Sequence, residues 1–195
     1  LEANGVADDT IVVFTSEHGE MAGDHCMLEK RSLYEESARV PLLMHVPGME
    51  SGVRTVQGNF SQVDLLPTLL ELMGETAPDT IEGKSLASTL EAGDDLENND
   101  VFMEWNGTGG LADRNLGNED INLLNTAPWR GVVSGNWKFC YCPTDKNELY
   151  NLADDPHEMN NLAEDPAHAD TVIKMAARLR EWSERTSDTV PITIP

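Results

Sequence analysis

Glu17 and His18 stand side by side in the run Thr10-Ile-Val-Val-Phe-Thr-Ser-Glu-His-Gly-Glu20, and Lys30 follows thirteen residues after Glu17. An acid and an imidazole delivered to one point at the end of a strand can form the edge of a metal site. A lysine beyond them can hold an anionic substrate over that metal. Tyr34-Glu-Glu-Ser-Ala-Arg-Val-Pro41 comes next.

The elements that must position these groups are legible as patterns. Residues 11–14 form a short, continuous apolar and β-branched run, which predicts a strand covered on both faces in a parallel sheet. Residues 40–46 repeat that character, with Pro47-Gly48 closing the run. The candidate chemistry lies on the polar connection between them, where ligands gather beyond the carboxyl ends of sheet strands in α/β proteins. Residues 61–74 read as a helix, with Ser61 as N-cap, Gly74 as stop and Pro67 marking a kink or restart. Residues 81–90 lead into a second short helix, and the acidic residues 93–100 read as an exposed connection.

The texture changes near residue 100. Residues 101–105, 130–133, 137–141 and 148–152 read as strands, and residues 106–127 as a long surface loop. Residues 167–186 make the clearest helix, with Val172, Ile173, Met175, Ala176, Leu179 and Trp182 as its apolar stripe. Two domains follow, residues 1–99 and residues 100–195.

Composition narrows the partners. The formal charge is -22, with 13 Lys and Arg against 35 Asp and Glu, which excludes a nucleic-acid or anionic-membrane surface. No apolar run approaches the ~20 residues that span a bilayer. Three cysteines, Cys26, Cys140 and Cys142, make no disulfide framework. Cys140 and Cys142 flank Tyr141 and point to one face of a strand, where buried free thiols are expected.

Four segments resemble the sulfatase family of the alkaline-phosphatase superfamily. They are Phe14-Thr-Ser-Glu-His-Gly-Glu20, Lys30 with Tyr34-Glu-Glu-Ser-Ala-Arg-Val-Pro-Leu42, Val63-Asp-Leu-Leu-Pro-Thr68, and Glu148-Leu-Tyr-Asn-Leu-Ala-Asp-Asp-Pro-His-Glu-Met-Asn-Asn-Leu162. Their order and span match the second half of such a protein. The resemblance implies the C-terminal part of an α/β, alkaline-phosphatase-like sulfatase fold, ending in a small antiparallel sheet plus helix subdomain. It implies that residues 1–99 carry part of the metal and sulfate site.

The resemblance also implies roles. Glu17 and His18 fall where sulfatases place an Asp and then an Asn or His as calcium ligands, and Glu17 departs from that Asp by one methylene. Lys30 falls at the lysine that contacts the sulfate group and the leaving oxygen, and His25 where relatives line the substrate pocket. Glu35, Glu36 and Arg39 read as helix-end ion pairs. The implied cofactor is Ca2+, the implied substrate a sulfated small molecule or glycan, and the implied location periplasmic or extracellular.

The family nucleophile is a formylglycine made within Cys/Ser-x-Pro-x-Arg, and none of the three cysteines fits that pattern. Thr126-Ala-Pro-Trp-Arg130 comes near it, but lies far downstream of Glu17 and reads as coincidence. The paired aspartates and the histidine acid of the family are absent as well. Three readings stay open: a sulfatase portion that works with an N-terminal sulfatase chain or segment, a phosphoester or phosphonate hydrolase of the same superfamily, and a non-catalytic remnant that binds or scaffolds.

Overall fold

Two apolar tetrapeptides, β1 (Val12–Thr15) and β2 (Leu42–His45), pair antiparallel, with Phe14 opposite Leu43 and Val13 opposite Met44. The computed structural model that shows this describes residues 1–49, 52–96, 99–107 and 127–193. The chain divides into two units, Leu1–Glu17 with Val40–Asn99, and His18–Arg39 with Asp100–Pro195. Residues 18–39, assigned from sequence to the first domain, thus pack with the second unit and carry a short helix, α1 (Glu35–Ala38).

The expected parallel pairing is corrected by this arrangement. A parallel neighbour needs a crossover layer on the sheet face. The connection from β1 to β2 packs in the other unit instead, so the chain returns alongside β1 in the opposite sense. The expected cover on both faces is also missing among the described residues: Phe14 and Leu43 are 61% and 62% exposed.

The rest of the first unit is built around α2 (Leu65–Leu72) and α3 (Ala87–Ala92). A 3-10 turn, Gln62–Asp64, precedes α2, so the helix restarts ahead of Pro67, whose missing N–H falls in a first turn that leaves such donors unpaired. Asp64 and Thr68 are buried hooks. Asp64 accepts the backbone N–H of Lys84 at 2.9 Å, and Thr68 accepts that of Leu86 at 3.0 Å while donating to the Asp64 carbonyl at 2.6 Å. Those bonds explain why Val63-Asp-Leu-Leu-Pro-Thr68 holds two polar residues on an otherwise apolar face. Within the expected exposed acidic connection, Leu96 and Asn99 are in fact buried, because Asn99 donates to the Asn59 carbonyl at 2.8 Å.

The second unit has a four-stranded antiparallel sheet in the order β3 (Val101–Trp105), β4 (Trp129–Ser134), β5 (Trp137–Tyr141), β6 (Glu148–Asn151). Residues 18–39 and the long helix α4 (Ala169–Thr186) belong to the same unit. On one face Val132, Phe139, Tyr141 and Leu149 pack against Met175, Ala176 and Leu179 of α4. Each such large side chain, fully buried, contributes about 1.5–3 kcal/mol. Ile173, expected in the helix stripe, is 53% exposed, because it lies one residue, about 100° around the helix, from the Val172–Met175–Ala176–Leu179 line. On the other face Trp129, Cys140 and Cys142 are buried with Ala127, and Leu33 and Trp105 pack on them.

Cys140 and Cys142 therefore share a buried face and stay free thiols, while Cys26 is exposed. Most of the expected long loop, including Thr126, lies outside the described residues. No helix among the described residues is long and apolar enough to cross a membrane.

The exposed Phe14–Leu43 cross-strand pair generates a prediction. At micromolar concentration the chain by itself should self-associate in light scattering, and the double substitution F14K/L43K should make it monomeric. A wild-type chain that is monomeric under those conditions would remove the basis of this reading.

Candidate functional site

Gly19 fixes the geometry around His18. Its N–H donates to the Ser37 carbonyl at 2.8 Å, and the Glu20 N–H donates to the Glu36 carbonyl at 2.8 Å. A Cβ built at Gly19 would stand 1.9 Å from the Glu36 carbonyl oxygen, so only glycine allows this contact with α1. The half-buried His18 lies with Nδ1 2.6 Å from the Gly19 carbonyl. A carbonyl only accepts, so Nδ1 carries the proton in this contact. Fixing the ring through one nitrogen is how proteins prepare an imidazole for ligation through the other.

Glu17 closes the first unit and His18 opens the second. The Glu17 side chain is exposed, and Gln62 Nε2 holds its strand end by donating to the Ser16 carbonyl at 2.7 Å and the Glu17 carbonyl at 3.3 Å. Gln62 was not marked by any sequence pattern. The Lys30 side chain is exposed, while its carbonyl accepts the Ser37 hydroxyl at 2.6 Å. His25 adopts a left-handed backbone, φ +50°, and stacks on Tyr34 with ring centroids 3.8 Å apart and planes within 5°. Ala22, Cys26 and Glu29 share that unfavoured conformation, so this connection is held in shape against its local preference.

The hold comes from the sheet. Lys138, fully buried, lies 3.1 Å from Glu35 Oε1 and 2.9 Å from Glu158 Oε1, and the Glu158 carboxylate also accepts the Glu35 N–H at 2.6 Å. Burial opposes the Lys138 charge, yet with Cys140 alongside and the Glu158 and Glu35 carboxylates in contact the ammonium is held above its ordinary range. Burial pushes Glu158 above the usual carboxylate range, although Lys138 works in the other direction. Glu35 also reaches Arg39 at 3.9 Å, the helix-end pair expected from sequence. One residue earlier, the Tyr34 hydroxyl donates to Glu148 Oε1 at 3.1 Å. Tyr34, Glu35, Lys138, Glu148 and Glu158 are thus the residues that position the connection; sequence reading marked only Glu35 among them, as a helix-end ion pair. One signal was present: Lys138 alternates with Phe139 and Tyr141 and shares a face with Cys140 and Cys142.

Among the described residues no group of three or more His, Cys, Asp and Glu is arranged to hold a metal ion. Calcium takes about six to eight donors, mostly oxygen. Glu17 offers one carboxylate and His18 one prepared imidazole, which fits two members of a larger shell and does not complete one.

Comparison with known proteins identifies the family. Residues 23–185 match the family described as N-sulphoglucosamine sulphohydrolase, C-terminal, and the chain belongs to this sulfatase family. It is 34% identical over 160 residues to a choline-sulfatase of Rhizobium meliloti, covering 80% of this chain and 27% of that protein. Its fold matches that of BT4656 in complex with its substrate D-glucosamine-2-N,6-O-disulfate, with a TM-score of 0.83, 26% identity, and coverage of 100% of this chain and 38% of that one. It also matches the phosphonate monoester hydrolase of Agrobacterium radiobacter, with a TM-score of 0.77, 31% identity, and coverage of 95% and 37%. The chain spans roughly a third of the length of these relatives.

The buried ion cluster can be tested directly. All four tryptophans belong to the second unit, so tryptophan fluorescence reports its unfolding. Lys138→Met leaves the buried Glu158 and the half-buried Glu35 carboxylates without their cation and should cost about 3–5 kcal/mol. Adding Glu158→Gln to Lys138→Met should recover part of that loss. Equal stability of Lys138→Met and wild type in urea titration would remove Lys138 from this role.

Proposed function

We propose that this chain supplies calcium-ligating and sulfate-contacting groups to a sulfuric ester hydrolase. The observation that carries the reading is the His18 ring, whose Nδ1–H is committed to the Gly19 carbonyl inside a sulfatase-type Glu-His-Gly sequence. Glu17 and His18 would hold the ion, which when bound polarises the sulfate oxygens. Lys30 would place its ammonium against the anionic group, where it stabilises negative charge growing on the leaving oxygen. His25, held flat on Tyr34, would line the substrate pocket.

No Cys/Ser-x-Pro-x-Arg sequence occurs in the 195 residues. The nucleophile, its aspartate neighbours and the acid for the leaving group are therefore assigned to an N-terminal sulfatase chain or segment. Two observations support that partner: the chain's span of about a third of its relatives, and the uncovered apolar face carrying Phe14 and Leu43. A sulfated glycan or small sulfate ester is the substrate class, in keeping with the amino-sugar disulfate bound by BT4656. A location outside the cytoplasm accords with the family resemblance.

A second reading, phosphonate or phosphate ester hydrolysis, is favoured by the 31% identity to the phosphonate monoester hydrolase. The two share a tetrahedral anion and separate by the ratio of kcat/KM on an aryl sulfate and on a phosphonate monoester.

In the complete enzyme, Lys30→Ala should lower kcat/KM by about 100- to 1,000-fold and leave calcium affinity within about twofold. Glu17→Gln and His18→Ala should weaken calcium binding in calorimetry. Equal losses of turnover and calcium affinity in Lys30→Ala would assign Lys30 to structure, and calcium binding untouched in both ligand variants would end the metal assignment.

A further inference from the structure

We infer that Glu148, acting through Tyr34, is a positioning residue that sets the hold on the connection carrying His18, His25 and Lys30, and makes that hold depend on pH. The link to substrate rests on the reading above; the hold itself does not.

The geometry is a short relay. The Tyr34 ring is fixed on its face by the stacked His25, and its hydroxyl is fixed by Glu148 on β6. Tyr34 is also the residue before α1, so its place fixes where Glu35 and Ser37 begin their own bonds, to Lys138 and to the Lys30 carbonyl. Displacing Tyr34 would release His25 directly and Lys30 through Ser37. Arg31, Ser32, Leu33, Tyr34, Trp105, Trp129 and Glu148 line a partly open cavity of about 20 Å³ at this point. That is the size of one water. Trp129 is 6% exposed, and its Nε1–H finds no acceptor among the described residues, so it reports on this cavity.

Glu148 is the group here that changes charge near neutrality. Burial raises it to about 7; the Tyr34 hydrogen bond and Lys138 lower it, and the Glu158 and Asp145 charges raise it. The other groups facing it keep one state. Burial holds the Tyr34 and Tyr150 hydroxyls and the Cys140 thiol above their usual ranges, so all three stay neutral. Lys138 stays cationic, and Arg31 is paired to Glu29 at 2.9 Å.

A carboxyl whose folded pKa is raised stabilises the packed state below its unfolded value, and that contribution is lost as pH rises through the folded value. The window is therefore from about 4.5 to about 7, and the connection is packed most firmly on the acid side. Above it, the ionised Glu148 keeps its Tyr34 hydrogen bond but stays desolvated beneath the connection, so undocking of the connection, which rehydrates the carboxylate, becomes easier. A phosphate- or sulfate-ester pocket built on this connection would bind substrate better below neutrality than above it.

The test uses the 15N-labelled full chain carrying F14K/L43K to keep it monomeric and, for kinetics, the complete enzyme. The Trp129 indole N–H resonance should titrate with a midpoint near 7. Glu148→Gln should abolish that transition, and Tyr34→Phe, which removes the hydroxyl that favours the ionised form, should move it to higher pH. His25→Asn controls for the imidazole on Tyr34 and should leave the transition in place. In the enzyme, KM should rise about tenfold or more through the same midpoint with kcat within about twofold, and the rise should be absent in Glu148→Gln. An indole transition identical in wild type and Glu148→Gln overturns the inference, as does one lost in His25→Asn. A wild type without sulfate-ester turnover overturns the functional reading, while the indole titration still decides the hold.

Discussion

The second unit depends on one cation held out of water. Lys138 is fully buried between Glu35 and Glu158, and each carboxylate belongs to a different stretch of chain laid on the same sheet face. A buried ammonium without partners would cost several kcal/mol, so both stretches must dock for either to be stable. The pairing does for this face what α4 does for the other by apolar contact. It converts a polar, glycine-containing connection with four left-handed non-glycine residues into a fixed shape.

That fixed shape is what the chemistry needs. His18 gains a defined ring orientation because Gly19 can approach the backbone of Glu36 and Ser37, and α1 is where it is because Glu35 answers Lys138. Tyr34 extends the same logic toward His25 and Glu148. The residues proposed to meet metal and substrate, His18, His25 and Lys30, and those that hold their connection in shape are thus separate sets, and Lys138 and Glu148 of the second set come from the C-terminal sheet.

The first unit works under the opposite condition. Its two-stranded sheet turns Phe14 and Leu43 outward, and its polar hooks, Asp64 and Thr68, satisfy the backbone of residues 84–86. The strand end at Glu17 is pinned by Gln62 through carbonyl contacts, leaving the carboxylate exposed. The chain spans about a third of its relatives, and the proposed N-terminal partner would cover this apolar face.

By itself the sequence determined the family, through four ordered segments, and the four strands and long helix of the second unit, because alternation and 3.6-residue periodicity are local properties. It also determined that Cys140 and Cys142 would be buried on one face. It read β1 as a strand of a parallel sheet, whereas its neighbour β2 runs antiparallel, because a strand's character does not say in which direction its neighbour runs. Only the tertiary structure decided that residues 18–39 pack with the sheet unit, since that depends on Lys138, Glu148 and Glu158 meeting residues more than a hundred positions away. No local pattern encodes such a meeting; it follows from a buried charge that has nowhere else to find its counterion.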